Sequence, residues 1–280
     1  MKEFKDKVAV ITGGASGLGL EIARLAAKKG MKLVISDIEE RALKNSEREF
    51  SEQGVEVLAV RTNVAIGLEV EQLAEKTLQR FGAVHLLFNN AGVALNKSAW
   101  ETTLADWEWV LGVDLWGVIH GVRVFTPIML KQDAPSHIIN TASVAGMLSP
   151  QGMAAYNVAK HGVVTLSETL YYDLKKRDAN INVSVLCPAW VNTGIWDSAR
   201  NRPEDLQNDA DQKSADDIEL EESARHAIQS GKVSAPMVAE IVFAAIAANQ
   251  FYILTHPKIK KWIGLRVEDI LQDRQPSPQD

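Results

Sequence analysis

A short apolar run that breaks into glycine and resumes as a helix constrains this chain more than any other feature. Residues 7–12 read Lys-Val-Ala-Val-Ile-Thr. Such an unbroken apolar stretch is the pattern of a parallel strand covered on both faces. Gly13-Gly14-Ala15-Ser16-Gly17-Leu18-Gly19 follows, then a helical pattern through Lys29, with Gly30 placed to end it. Strand, glycine turn and helix together bring backbone N–H groups to a helix N-terminus, where a phosphate can approach. The spacing is Gly-x-x-x-Gly-x-Gly and not the Gly-x-Gly-x-x-Gly of the usual dinucleotide fingerprint.

The alternation continues along the chain. Strand patterns are expected at 32–36, 55–60, 84–88, 137–141 and 181–186. Helical patterns are expected at 39–53, 66–81, 104–131 and 155–176. The stretch 104–131 is apolar on more than one face and should be packed on both sides. This order predicts an α/β fold: a Rossmann-like, doubly wound parallel sheet with helices on both faces. Ligand sites in such sheets lie at the carboxyl ends of the strands. Gly13, Asp37, Asn89, Ser143 and Pro188 all follow strand ends and are expected to converge.

The charge balance narrows the classes of partner. The net charge is −6, which offers no basic footprint for nucleic acid. The acids are concentrated in 204–222, which holds nine of them and one lysine. This segment reads either as a solvated surface excursion or, within 194–235, as a lid over a site. With one cysteine, Cys187, no internal disulfide can form, which points to a reducing, cytoplasmic setting. The N-terminus has no apolar leader core, and no run is expected to reach membrane-spanning length. The six histidines show no metal-ligand spacing. The chain reads as one domain over 1–280, with 273–280 as a flexible tail.

The chemistry is carried by Tyr156-Asn157-Val158-Ala159-Lys160, with Ser143 upstream. Positions four apart share a helix face, so Lys160 should sit one turn from Tyr156. A free phenol titrates near pH ~10, and a neighbouring cation favours the phenolate. Ser143 can hold the oxygen of an alcohol or carbonyl while Tyr156 moves its proton. Asp37, at the tip of the second strand, can accept hydrogen bonds from ribose hydroxyls and would repel a 2′-phosphate. With Ser16, Ile38 and Glu39 around it offering no positive charge, NAD is expected, and NADP less so. A helix cap or loop acid is the plain alternative for Asp37.

In this arrangement the chain resembles the short-chain dehydrogenase/reductase family, in its single-domain form with an extended C-terminus. The matching residues are Thr12 through Gly19, then Asn89-Asn90-Ala91-Gly92, Ser143, Tyr156 with Lys160, and Pro188 through Thr193. The resemblance implies about seven strands and hydride transfer between NAD(P) and a carbinol or carbonyl carbon. It implies Tyr156 as acid/base, Lys160 as the residue that lowers its pKa and binds the nicotinamide ribose, and Ser143 as the holder of the substrate oxygen. It places Gly13, Ser16, Gly17, Leu18, Gly19, Asn63, Val64, Asn90, Ala91, Gly92, Pro188, Val191 and Thr193 around the cofactor. It also implies a homodimer or homotetramer formed through the helices at 104–131 and 155–178.

There are departures from the family pattern. Where the family usually carries a catalytic Asn, this chain has Asp114, which when ionised only accepts hydrogen bonds. The usual Asp-Val is Asn63-Val64, whose side-chain carbonyl can still meet an adenine edge. The usual Pro-Gly is Pro188-Ala189. Trp190 and Trp196, with Ile195, Met147 and Leu148, are expected to line an apolar pocket, which points to a hydrophobic secondary alcohol or ketone. The remaining tryptophans are expected in the core or a subunit interface. A cofactor-sensing regulator with little turnover is the alternative that Asp114 raises.

Overall fold

The computed structural model describes residues 1–208 and 215–278, the backbone alone for 215–217. The part of the expected lid at 209–214 and the last two residues of the expected tail lie outside the described residues. Among the described residues, seven strands form one parallel sheet in the order β3-β2-β1-β4-β5-β6-β7. They are β1 (Val8–Thr12), β2 (Lys32–Asp37), β3 (Val57–Arg61), β4 (Leu86–Asn89), β5 (Ser136–Thr141), β6 (Ile181–Cys187) and β7 (Tyr252–Leu254). Strand order reverses between β1 and β4, and that reversal opens a crevice at the carboxyl edge.

Period-two alternation divides β1 between two cores. Ala9 and Ile11 face the helices α1 (Gly17–Lys28) and α8 (Ala235–Ala248). Val8 and Val10 face α3 (Gly67–Phe81), α5 (Gly117–Gln132) and α6 (Ala154–Lys176). Both faces are dry, which is why β1 reads as an unbroken apolar run. The remaining helices are α2 (Glu40–Glu52), α4 (Leu104–Leu111), α7 (Ala215–Gln229) and α9 (Ile259–Leu271).

Two expectations need correcting. The stretch 104–131 is not one regular helix: a π-turn at Gly112–Trp116 separates α4 from α5. Such a turn admits one extra residue and is frequent at functional sites. Leu104–Gln132 as a whole is long and apolar enough by length and composition to cross a membrane, against the expectation that no run reaches that length. It packs here against α3, β4 and α6, and it carries Asp106, Asp114 and Arg123. Among the tryptophans Trp109 is buried in the core, and Trp100 and Trp116 are exposed on this single chain.

A chain of hydrogen-bonded polar side chains runs beneath the sheet's carboxyl edge. Asn89 Nδ2 donates to Asn140 Oδ1 at 2.8 Å, Asn140 Nδ2 donates to Ser167 Oγ at 2.9 Å, and Ser167 donates to Val163 O at 2.7 Å. This chain ties β4 to β5 and β5 to α6, the helix that carries the tyrosine and lysine. Cys187 is fully buried at the end of β6, and burial pushes its thiol up to about 12.

Candidate active site

The glycine turn is shaped by close contact. Gly13 has φ +63°, and a Cβ on Gly19 would lie 2.0 Å from Gly13 O. No side chain fits under the loop, so Gly19 supports the site without lining it. Thr12 Oγ1 accepts from the N–H groups of Asn90 (2.9 Å) and Ala91 (3.1 Å), and Asn90 Nδ2 donates to Thr12 O at 3.1 Å. These bonds lock the turn to the loop after β4. Thr12 was not expected as a site residue, although its place at the end of β1 was visible. Ser16 occupies the N-cap of α1 without capping it and is exposed. Its hydroxyl and the backbone N–H groups at the helix start suit a pyrophosphate.

One pocket gathers the expected residues. Gly13, Ser16, Gly17, Leu18, Asp37, Asn63, Val64, Asn90, Ala91, Gly92, Ser143, Tyr156, Lys160, Pro188, Val191 and Thr193 all line it. Gly19 and Asp114 lie behind its wall.

Tyr156 and Lys160 stand on the first turns of α6, with Lys160 Nζ 5.4 Å from the Tyr156 ring centre. Ser143 stands beside the Tyr156 hydroxyl and favours the phenolate. Ser143 Oγ accepts from Ala145 N–H at 3.1 Å and donates to Pro188 O at 3.3 Å. Lys160 Nζ donates to Thr141 O at 3.2 Å. Burial pushes the Tyr156 phenol above its ordinary value. Lys160 and Ser143 pull it down, and Asp114 pushes it up. Lys160 thus acts in the expected direction, but burial outweighs it.

The π-turn carries Asp114 inward, where it is fully buried. Its Oδ1 accepts from Val93 N–H at 2.8 Å, and its Oδ2 lies 3.5 Å from Lys160 Nζ. Burial raises the Asp114 carboxyl, against the pull of Lys160 and the Val93 N–H. Asp114 therefore reaches the pocket through Lys160 and Val93, both of which line it.

At the far end, Asp37 Oδ2 accepts from Ala15 N–H and Oδ1 from Glu39 N–H, each at 3.1 Å. Burial pushes its carboxyl up against these two bonds. The Asn63 side-chain oxygen expected to meet an adenine edge already accepts from Ala65 N–H at 3.1 Å. A second lone pair on that oxygen and the amide nitrogen remain for a ligand.

The substrate side departs in detail from expectation. Trp190 and Ile195 line the pocket, but Met147, Leu148 and Trp196 do not. Leu148 is buried, Met147 packs beneath α6, and Trp196 lies under the Arg225 guanidinium at 4.4 Å. The apolar wall comes instead from Val93, Trp109, Val113, Met153 and, on α7, Ile228. Trp109 and Met153 share one apolar cluster from distant parts of the chain, and such a pairing leaves no local signal in sequence.

A family model described as short chain dehydrogenase matches residues 7–204. A relative from Lactiplantibacillus plantarum, "CLA biosynthesis dehydrogenase/reductase", is 37% identical over 99% of this chain and 97% of its own length. A "C alpha-dehydrogenase" from a Sphingobium species is 30% identical over 100% of this chain and 90% of its own. Among solved structures, a short chain dehydrogenase/reductase from Burkholderia phymatum in complex with NAD superposes with a TM-score of 0.98 at 50% identity, covering 100% of this chain and 99% of that one. With fold, pocket and relatives in agreement, the chain belongs to the short-chain dehydrogenase/reductase family and is an oxidoreductase of CH–OH groups.

Proposed function

We propose that this oxidoreductase uses NAD(H) to interconvert a hydrophobic secondary alcohol and its ketone, with Tyr156 as the acid/base. The observation that carries the reading is one pocket with three chemistries in order. It has a carboxylate (Asp37) at one end, a phenol with a hydroxyl and an ammonium (Tyr156, Ser143, Lys160) in the middle, and an apolar wall beside them. Asp37 suits ribose hydroxyls and disfavours a 2′-phosphate. The NAD named in the Burkholderia phymatum structure agrees with that preference.

The residues divide the work as follows. The glycine turn and Ser16 hold the pyrophosphate, and Asp37 the adenosine ribose. Asn90 through Gly92, Pro188, Val191 and Thr193 flank the nicotinamide end, whose ring supplies or accepts the hydride when the cofactor is bound. Ser143 orients the substrate oxygen. In the oxidative direction Tyr156, as phenolate, takes the hydroxyl proton; in the reductive direction it gives that proton back. Lys160 favours the phenolate and holds a ribose hydroxyl. Holding the reactants in contact contributes several kcal/mol, and the base roughly 10²–10⁴-fold. Trp190, Trp109, Met153 and Ile228 select an apolar body on the substrate. Trp116 and Val158, exposed on the two long helices, are apolar surface suited to a homodimer or homotetramer.

The test is a titration with NADH and with NADPH followed by a ketone panel. The reading expects tighter NADH binding and NADH consumption with bulky apolar ketones. Turnover confined to small polar polyols would refute the substrate class, and tighter NADPH binding would refute the cofactor.

A further inference from the structure

Glu39 occupies the N-cap of α2 but makes no capping hydrogen bond there. Its carboxylate turns instead toward a segment far away in the chain. Glu39 Oε1 accepts from Arg200 Nη2 at 2.6 Å, Arg200 Nε at 3.1 Å and Asn201 Nδ2 at 2.8 Å. The third Arg200 nitrogen, Nη1, donates to the carbonyls of Gly194 (3.1 Å) and Asp197 (2.6 Å), inside the same 3-10 segment Gly194–Asn201.

This segment is strapped across the pocket. It starts beside Thr193, whose side chain lies 3.3 Å from where a Gly17 Cβ would stand. In mid-course Ser198 Oγ accepts from Ala94 N–H at 2.9 Å and donates to Ala94 O at 3.1 Å. It ends on Glu39. Glu39, Arg200 and Asn201 all line the pocket, in the corner shared with Asp37, Ile38 and Ser16. Two basic side chains line the pocket among the described residues: Lys160 at the catalytic end and Arg200 in this corner.

An arginine beside a ribose site is the fork geometry that a 2′-phosphate would seek. Here that fork is already taken by Glu39. We propose that Glu39 is a second cofactor-specificity residue, acting through Arg200: it engages the one guanidinium in the ribose corner and so denies a 2′-phosphate its partner. This deepens the NAD(H) reading above and rests on it. Asp37 repels the phosphate directly, while Glu39 removes the cation that would reward it. The same clasp fastens the strap over the adenosine end.

The experiment measures the ratio of dissociation constants for NADPH and NADH, by reduced-nicotinamide fluorescence, in four forms of the full chain: wild type, Glu39→Gln, Arg200→Met and the double variant. Gln keeps the shape of Glu39 and removes its charge. In Glu39→Gln the ratio should fall at least about tenfold, the scale of one charge-assisted contact. The double variant should lose that gain, since the released cation is gone. A ratio unchanged in Glu39→Gln, with NADH still bound, overturns the inference and leaves the cofactor reading intact. An equal fall in Glu39→Gln and the double variant also overturns it, because Arg200 would then play no part. Failure of the wild type to bind NADH removes the cofactor reading itself, and this inference with it.

Discussion

Replacing Asp114 with Asn restores the residue most common at this position in the family and isolates one charge. Asp114 and Lys160 are 3.5 Å apart, an attraction of about 5 kcal/mol at an effective dielectric of ~20. The substitution leaves the Lys160 ammonium buried with Thr141 O beside it, and losing one partner of a buried pair costs about 3–5 kcal/mol, so Tm should fall in Asp114→Asn. Asp114 also acts on Tyr156. From the 3.5 Å and 5.4 Å separations, the Asp114 carboxylate lies no more than about 9 Å from the tyrosine ring centre. At that distance a negative charge opposes a phenolate by about 2 kcal/mol at a dielectric of ~20. Removing it makes the phenolate easier to form. In Asp114→Asn, the acid limb of kcat/KM for alcohol oxidation should therefore move down. Asn keeps an oxygen for the Val93 N–H, so the loop after β4 should hold. The assay is a pH–rate profile of both forms at saturating NAD, with Tm measured across the same range. A limb that does not move would refute the reasoning, because it would show that Asp114 carries no charge felt by the tyrosine.

Three further outcomes follow from particular contacts. Gly19→Ala places a methyl against Gly13 O, where 2.0 Å is available; NADH affinity should fall at least tenfold by fluorescence titration, and wild-type affinity would contradict the packing argument. Asp37→Ala combined with Ile38→Arg should gain NADPH use, because a repelling carboxylate is replaced by a cation; no gain in NADPH affinity would mean the ribose is held elsewhere. Burial holds His137 down at about 3 and His85 at about 4. A histidine lowered on folding stays neutral while the unfolded chain, titrating near ~6.5, takes up a proton. Its stability contribution is present above about 6.5 and lost as pH falls toward 4 and 3. Tm should thus drop steadily from pH 7 to 4, and less steeply in His137→Gln; an equal slope in both would contradict this.

Much of the fold was legible because the sheet is covered on both faces. Each of the first six strands carries a short apolar run, so they stood out within two residues of their observed ends. The seventh, Tyr252–Leu254, is three residues long and pairs only with β6, too little pattern to place without the family resemblance. The π-turn at Gly112–Trp116 was hidden because apolar residues flank it on both sides and continue a helical pattern. Site residues at strand ends were readable for a physical reason: glycine, Asp37 and Ser143 sit where each strand stops, and the stop itself is visible. The rest depends on contacts distant in sequence. Glu39 and Arg200 are 161 positions apart, and the apolar wall from Trp109 and Ile228 exists only once α4 and α7 have docked. Trp196 shows the reverse failure: its position beside the nicotinamide segment was readable, but its direction, toward Arg225, was not.

The central claim is that Tyr156 moves the proton while NADH supplies the hydride. The most direct test preloads the protein with one equivalent of NADH, adds a bulky apolar ketone and follows a single turnover, in wild type and in Tyr156→Phe. The account predicts that both bind NADH with similar affinity, and that loss of the hydroxyl slows its consumption by roughly 10²–10⁴-fold. Consumption at the same rate in Tyr156→Phe would contradict it, and the acid/base would have to be sought in another group.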